Sequence, residues 1–69
     1  MNLLEVIKNK MPIDIYLEGD NTKYDTFYYN EKDNIYQGQF GFLDMDAITK
    51  VVTGKITHIK IRAHNDNNR

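Results

Sequence analysis

Apolar positions change their spacing several times along this chain, and each change marks an element. Leu3, Leu4, Val6 and Ile7 recur at the spacing of one helix face. Asn2 stands where an N-cap is wanted and Glu5 follows three residues on, the pattern of a capping box. Lys8 and Lys10 suit the negative end of that helix. Pro12 stops it, because the residue before a proline is pushed out of the helical region. From Ile13 the period drops to two. Ile13, Ile15 and Leu17 point one way and Asp14, Tyr16 and Glu18 the other, as in a half-buried strand. Gly19-Asp20-Asn21 is turn chemistry. Tyr24 to Asn30, rich in aromatic and β-branched side chains, reads as the returning strand. Glu31-Lys32-Asp33-Asn34 turns the chain again, and Ile35 to Phe42 reads as a third strand, in which Gly38 and Gly41 mark a bulge or a close backbone approach.

The second helix has the clearest punctuation. Asp44 is its N-cap, Asp46 favours the positive helix start, and Leu43 is placed to staple onto Ile48. Ile48, Val51 and Val52 form its buried stripe, and Gly54 sits where a left-handed C-terminal residue is wanted. Thr57, Ile59, Ile61 and Ala63 then alternate with His58, Lys60 and Arg62, a fourth strand with a basic outer face. The pattern predicts an α+β domain over residues 1–63, in the order α-β-β-β-α-β, with an antiparallel sheet packed on two short helices. Residues 64–69 offer nothing to bury and read as a flexible tail.

Length limits the energetics of this fold. Sixty-nine residues make one domain, whose core leaves only roughly 3–5 kcal/mol above the entropy of ordering the chain. Without cysteine no disulfide or thiolate metal site adds to that, so good packing or association must. The absence of cysteine fits a reducing compartment, and the N-terminus lacks the pattern of a secretory signal. A cytoplasmic location is the expectation, with no membrane partner, since no stretch approaches the ~20 apolar residues of a spanning helix. The net charge of −1 hides a polarity. Residues 14–46 carry eight acids against Lys23 and Lys32, a balance of −6, whereas residues 47–69 carry a balance of +4. Such asymmetry steers charged partners.

Candidate chemistry is sparse. Neither serine nor cysteine is present to serve as a nucleophile. His58 and His64 lie six residues apart, on a strand face and at its end, which is not a metal-ligand arrangement. Asp44 and Asp46 are explained by capping. Neither acidic turn has calcium-loop spacing, and no glycine loop opens a helix to cradle a phosphate. The expectation is a protein that is not an enzyme and uses no cofactor and no metal.

Two resemblances add to this. Ile15-Tyr16-Leu17-Glu18-Gly19 resembles the aromatic strand motif opening an RNA-recognition motif domain, and Phe40-Gly41-Phe42-Leu43 resembles the core of that family's second motif. The match covers about nine residues and departs in kind. Gly38-Gln39 stands where a basic residue and glycine belong, Met45 replaces an aromatic, and residues 19–34 show no helical period for the helix that fold needs. The whole pattern, with its Asn, Lys, Ile and Tyr-heavy composition, resembles small proteins of phages and mobile elements of Gram-positive bacteria, in style rather than by a motif. That group includes anti-CRISPR and other anti-defence factors, some of which inhibit host enzymes by presenting acidic surfaces. The resemblance implies a stoichiometric inhibitor acting in the host cytoplasm.

The expected function is therefore binding of a protein partner, a host or defence protein. The candidate contacts are Tyr24, Asp25, Phe27, Tyr28, Tyr29, Glu31, Asp33 and Tyr36 of the acidic, tyrosine-rich hairpin. One alternative is an oligomer-forming subunit, such as a homodimer, in which an edge strand pairs with its twin. Another is a weak binder of single-stranded nucleic acid through Tyr16, His58, Lys60 and Arg62, against which a sequence pI near 6.0 argues.

Overall fold

The computed structural model describes residues 2–20 and 22–64. Asn21 of the first turn and residues 65–69 of the tail lie outside the described residues. Among the described residues no helix is long and apolar enough to cross a membrane.

The predicted helices form where their caps allow. Helix α1 (Leu3–Lys8) opens with the Asn2 side chain accepting from Glu5 N at 2.9 Å, and it buries Val6. Helix α2 (Met45–Val52) opens on Asp44, whose Oδ1 accepts from Ala47 N at 2.8 Å, and it buries Ile48. Past its end Gly54 takes a φ of 87°, a left-handed conformation that glycine adopts without steric cost.

The strands are β1 (Ile13–Leu17), β2 (Asp25–Asn30), β3 (Ile35–Gln37), β4 (Phe42–Asp44) and β5 (Ile59–Ala63). They make one five-stranded sheet in the order β4-β3-β2-β1-β5, with every neighbouring pair antiparallel. The α+β class is as the sequence predicts. The stretch Ile35 to Phe42 is not one strand, however. The chain reverses over residues 38–41, where Gly38 N donates to Gly41 O at 2.8 Å, and the returning piece becomes β4. The order is thus α-β-β-β-β-α-β.

Asp25 and Gly38 explain that reversal. Asp25 Oδ2 accepts from the backbone N of Gln39 at 2.8 Å and of Phe40 at 3.2 Å, fixing two turn amides that have no partner within the strand ladder. A Cβ at Gly38 would fall 2.6 Å from the Phe27 ring, so only glycine lets the turn lie this close to β2.

Register assigns the two faces, since paired residues in a sheet point the same way and neighbours along a strand point opposite ways. Ile13 pairs with Phe27 and Ala63, Ile15 with Ile61, and Tyr29 with Tyr36. These share the face that receives Val6 and Ile48, and the core comprises Val6, Ile13, Ile15, Phe27, Tyr36, Ile48 and Ile61. Helix α2 touches both edge strands, β4 and β5, so the sheet curls around that core. Tyr36 is fully buried, and its hydroxyl donates to Met11 O at 2.7 Å. Burial, and then the neighbouring Tyr29, push its pKa above the ordinary tyrosine value.

Candidate binding face of the sheet

The opposite face carries Asp14 and Tyr16 of β1, Thr26 and Tyr28 of β2, Gln37 of β3, Phe42 of β4, and Lys60 and Arg62 of β5. Neither helix packs on it. A polar cluster occupies its centre. Asp14 is 8% exposed, and its Oδ1 accepts from Thr26 Oγ1 at 2.8 Å and from His64 Nδ1 at 2.8 Å. Lys23 Nζ stands 3.9 Å from the same oxygen. Buried carboxylates are tolerated when they are satisfied in this way. The cluster ties β1 to β2 and to the end of β5, where His64 N also donates to Pro12 O at 3.2 Å. His64, read from the sequence as the first residue of the tail, is thus held against the sheet.

Threonine, histidine and aspartate together invite comparison with a nucleophilic triad. The geometry differs in the respect that matters. In such a triad the histidine stands between nucleophile and acid and takes the hydroxyl proton. Here threonine and histidine both donate to one carboxylate oxygen, so the hydroxyl hands its proton toward Asp14 rather than His64. The arrangement cross-links strands. No group of three His, Asp or Glu side chains that could hold a metal ion occurs among the described residues.

Around this centre lie exposed rings. Tyr28 is 56% exposed and meets the His64 ring edge-on at 6.5 Å. Tyr24, which the register carries opposite Tyr16, is 49% exposed and packs on Phe40 of the 38–41 turn at 6.0 Å. Phe40 and Phe42 are 68% and 62% exposed. The Arg62 guanidinium lies 5.0 Å over the Tyr16 ring, a cation–π contact that keeps the ring in place. Between β2 and the 38–41 turn runs an open groove of about 610 Å³, whose lining includes Lys23, Tyr24, Thr26, Tyr28, Gln37 and Gln39. Apart from its tyrosine rings the lining is largely polar. Gln37 accepts from Asn30 Nδ2 at 3.2 Å, and the Gln39 side-chain amide has no hydrogen bond among the described residues. A ligand in the groove therefore meets tyrosine rings, amide and hydroxyl groups, the Lys23 cation and the Asp25 carboxylate.

The hairpin contacts expected from the sequence are separated by the fold. Phe27 and Tyr36 point inward and are 5% and 0% exposed, so they cannot meet a partner. Their alternation phase places them with Ile13 and Leu43, and the core claims them. Tyr29 also faces inward, half-buried, with its hydroxyl donating to Asn34 Oδ1 at 2.6 Å and Lys10 5.3 Å over its ring. Asp25 is spent on the turn amides. Glu31 and Asp33 are exposed in the turn between β2 and β3, and of the expected contacts Tyr24, Asp25 and Tyr28 line the groove. The second set fares differently. Tyr16, Lys60 and Arg62 do converge on the open face, and His58 lies just before β5 with its carbonyl accepting from Glu18 N at 2.9 Å.

Sequence reasoning missed Asp14, Lys23, Thr26, Gln37, Gln39, Phe40, Phe42 and His64 as parts of this face. Asp14 carried a partial signal, since the alternation of β1 set it on the face of Tyr16, but its burial comes from Thr26 and His64 closing over it. Gln39, Phe40 and Phe42 depend on the 38–41 reversal, which the strand pattern hid, and Lys23, Thr26, Gln37 and His64 depend on the register of the strand pairs. No protein-family model, no curated protein and no solved structure matches this chain.

Proposed function

We propose that this chain is a non-catalytic binding protein that holds a macromolecular partner on the uncovered face of its sheet. The observation that carries the reading is a set of four rings, all about half exposed or more: Tyr24 and Tyr28 line the groove, Phe40 packs on Tyr24, and Phe42 lies opposite Gln37 on the same face. A domain of this size has few large apolar side chains to stabilise its core. Leaving four rings in water is costly unless a partner covers them, and clustered exposed rings of this kind mark interaction sites. The reading keeps the binding role expected from the hairpin and moves its centre from the acidic turn to the open face. A small stoichiometric inhibitor, the role implied by the style of the sequence, is one way to use such a surface.

The test compares the immobilised protein with its Tyr28→Ala variant for retention of protein or nucleic acid from a bacterial lysate at low salt. Tyr28 contributes little to the core, so the variant is expected to melt close to the parent and to lose the retained species. A parent that retains nothing, or a variant that retains the same species equally, sinks the proposal.

A further inference from the structure

The make-up of the open face narrows the partner to a chemical class. Protein interfaces centre on apolar, charge-depleted patches. Here the exposed rings are separated by amides, a hydroxyl and cations instead. Tyr24 and Tyr28 border the groove, with the Gln37 and Gln39 amides between them. Lys60 and Arg62 project from the same face on β5, and Lys23 stands at the groove's rim. Rings set among cations and amides are the chemistry that holds unpaired bases: the rings stack, the amides meet base edges, and the cations follow the backbone. The volume of about 610 Å³ is of the size that accommodates one small planar ligand, roughly 300–1,000 Å³.

The carboxylates nearest the groove are engaged within the protein. Asp25 accepts from two turn amides and the Thr26 amide, and Asp14 accepts from Thr26 and His64 with Lys23 beside it. Glu18, Asp20, Glu31 and Asp33 lie in the two connections at the ends of the β1–β2 and β2–β3 hairpins, off the strands themselves. Of the acids of residues 14–46, those in the two connections lie off the strands, and Lys60 and Arg62 are the cations of the face that stand apart from the Asp14 cluster.

We propose that the open face binds single-stranded nucleic acid, with bases stacked on Tyr28 and Tyr24 and phosphates directed to Lys60 and Arg62. This rests on the open face being the protein's binding surface. The test is fluorescence anisotropy of labelled oligothymidylate and oligouridylate of about ten nucleotides, inside the roughly 4–16 nucleotides that single-strand binding domains cover. Saturable binding at low salt is expected, weakening with salt along a log–log slope of roughly −1.4 for the two cations. Tyr28→Ala is expected to weaken binding roughly 5- to 100-fold, the loss of one base–ring stack. Lys60→Gln and Arg62→Gln are each expected to make the slope shallower by about 0.7. Lys8→Gln, on α1 across the sheet, is expected to leave it unchanged.

Absence of affinity for both oligomers at low salt overturns the proposal, as does equal affinity for duplex DNA, whose paired bases cannot reach the rings. So does a Lys8→Gln effect equal to that of Lys60→Gln, which would mean diffuse attraction. Capture of a protein that depends on Tyr28, together with no oligonucleotide affinity, also overturns it while leaving the open face as the binding surface. Each substituted side chain is exposed or on the outer face, and matching melting curves separate lost binding from lost fold.

Discussion

Tyr36 shows how one hydroxyl ties the fold to solution pH. The ring fills the centre of the core while its hydroxyl reaches the carbonyl of Met11, just past the end of α1. Replacing it in Tyr36→Phe keeps the ring and removes that bond, which is expected to cost about 1 kcal/mol near neutral pH. The pH dependence follows from the raised pKa of the buried hydroxyl, caused first by burial and then by Tyr29. An unfolded tyrosine ionises near pH 10. The folded group holds its proton beyond that, so its contribution is fully present below about pH 10 and is lost as pH climbs through the higher folded value. Urea unfolding at neutral pH and at about pH 11 should show the gap between parent and Tyr36→Phe shrinking in alkali. A gap that stays constant would mean that the hydroxyl is not shielded as its position indicates.

At the scale of elements, the hairpin joining β3 to β4 decides where the candidate site lies. It exists because Asp25 satisfies two turn amides and because Gly38 lets the backbone rest on Phe27. Gly38→Ala would push a methyl group into that ring, and overpacking of this kind costs typically 1–3 kcal/mol. For a domain of 60–100 residues each kcal/mol lowers Tm by roughly 4–8 °C, so a calorimetric scan would register the change. Gly41→Ala, with nothing within 4 Å of its Cβ, is the matched control and should melt near the parent. Equal melting of the two variants would remove the packing account of Gly38. The same hairpin explains what could be read beforehand. Both helices announced themselves through local caps, Asn2 to Glu5 and Asp44 to Ala47, and the alternation of Ile13-Asp14-Ile15 fixed the inner face of β1. The site was less legible, because it joins residues from five strands and one turn. Its composition depends on register, and a shift of one residue in β2 would exchange Phe27 and Tyr29 for Thr26 and Tyr28 on the open face.

For the whole molecule, the open question of association turns on charge at the sheet's edge. Strand β5 ends the sheet, and His58 and His64 direct backbone groups toward β1 and Pro12. Alternation then directs the backbone groups of Ile59, Ile61 and Ala63 away from the sheet, where a second strand would bond. A second copy pairing antiparallel through those groups must place residue against residue in one of three central registers. These put Lys60 opposite Lys60, Arg62 opposite Arg62, or Lys60 opposite Arg62 of the other copy. Every one sets cation against cation on the same face, and like charges directly opposite destabilise a strand pair. The basic face that suits a phosphate backbone thus also protects the edge from pairing with its twin, as charged side chains do on other exposed edges. The protein is accordingly expected to sediment as a monomer over a wide concentration range. Lys60→Glu reverses one charge of the pair and gives Arg62 of a second copy a carboxylate to face, so this variant is expected to associate more strongly, and to do so less at high salt. A parent that dimerises while Lys60→Glu does not would show that association uses a different surface from the β5 edge.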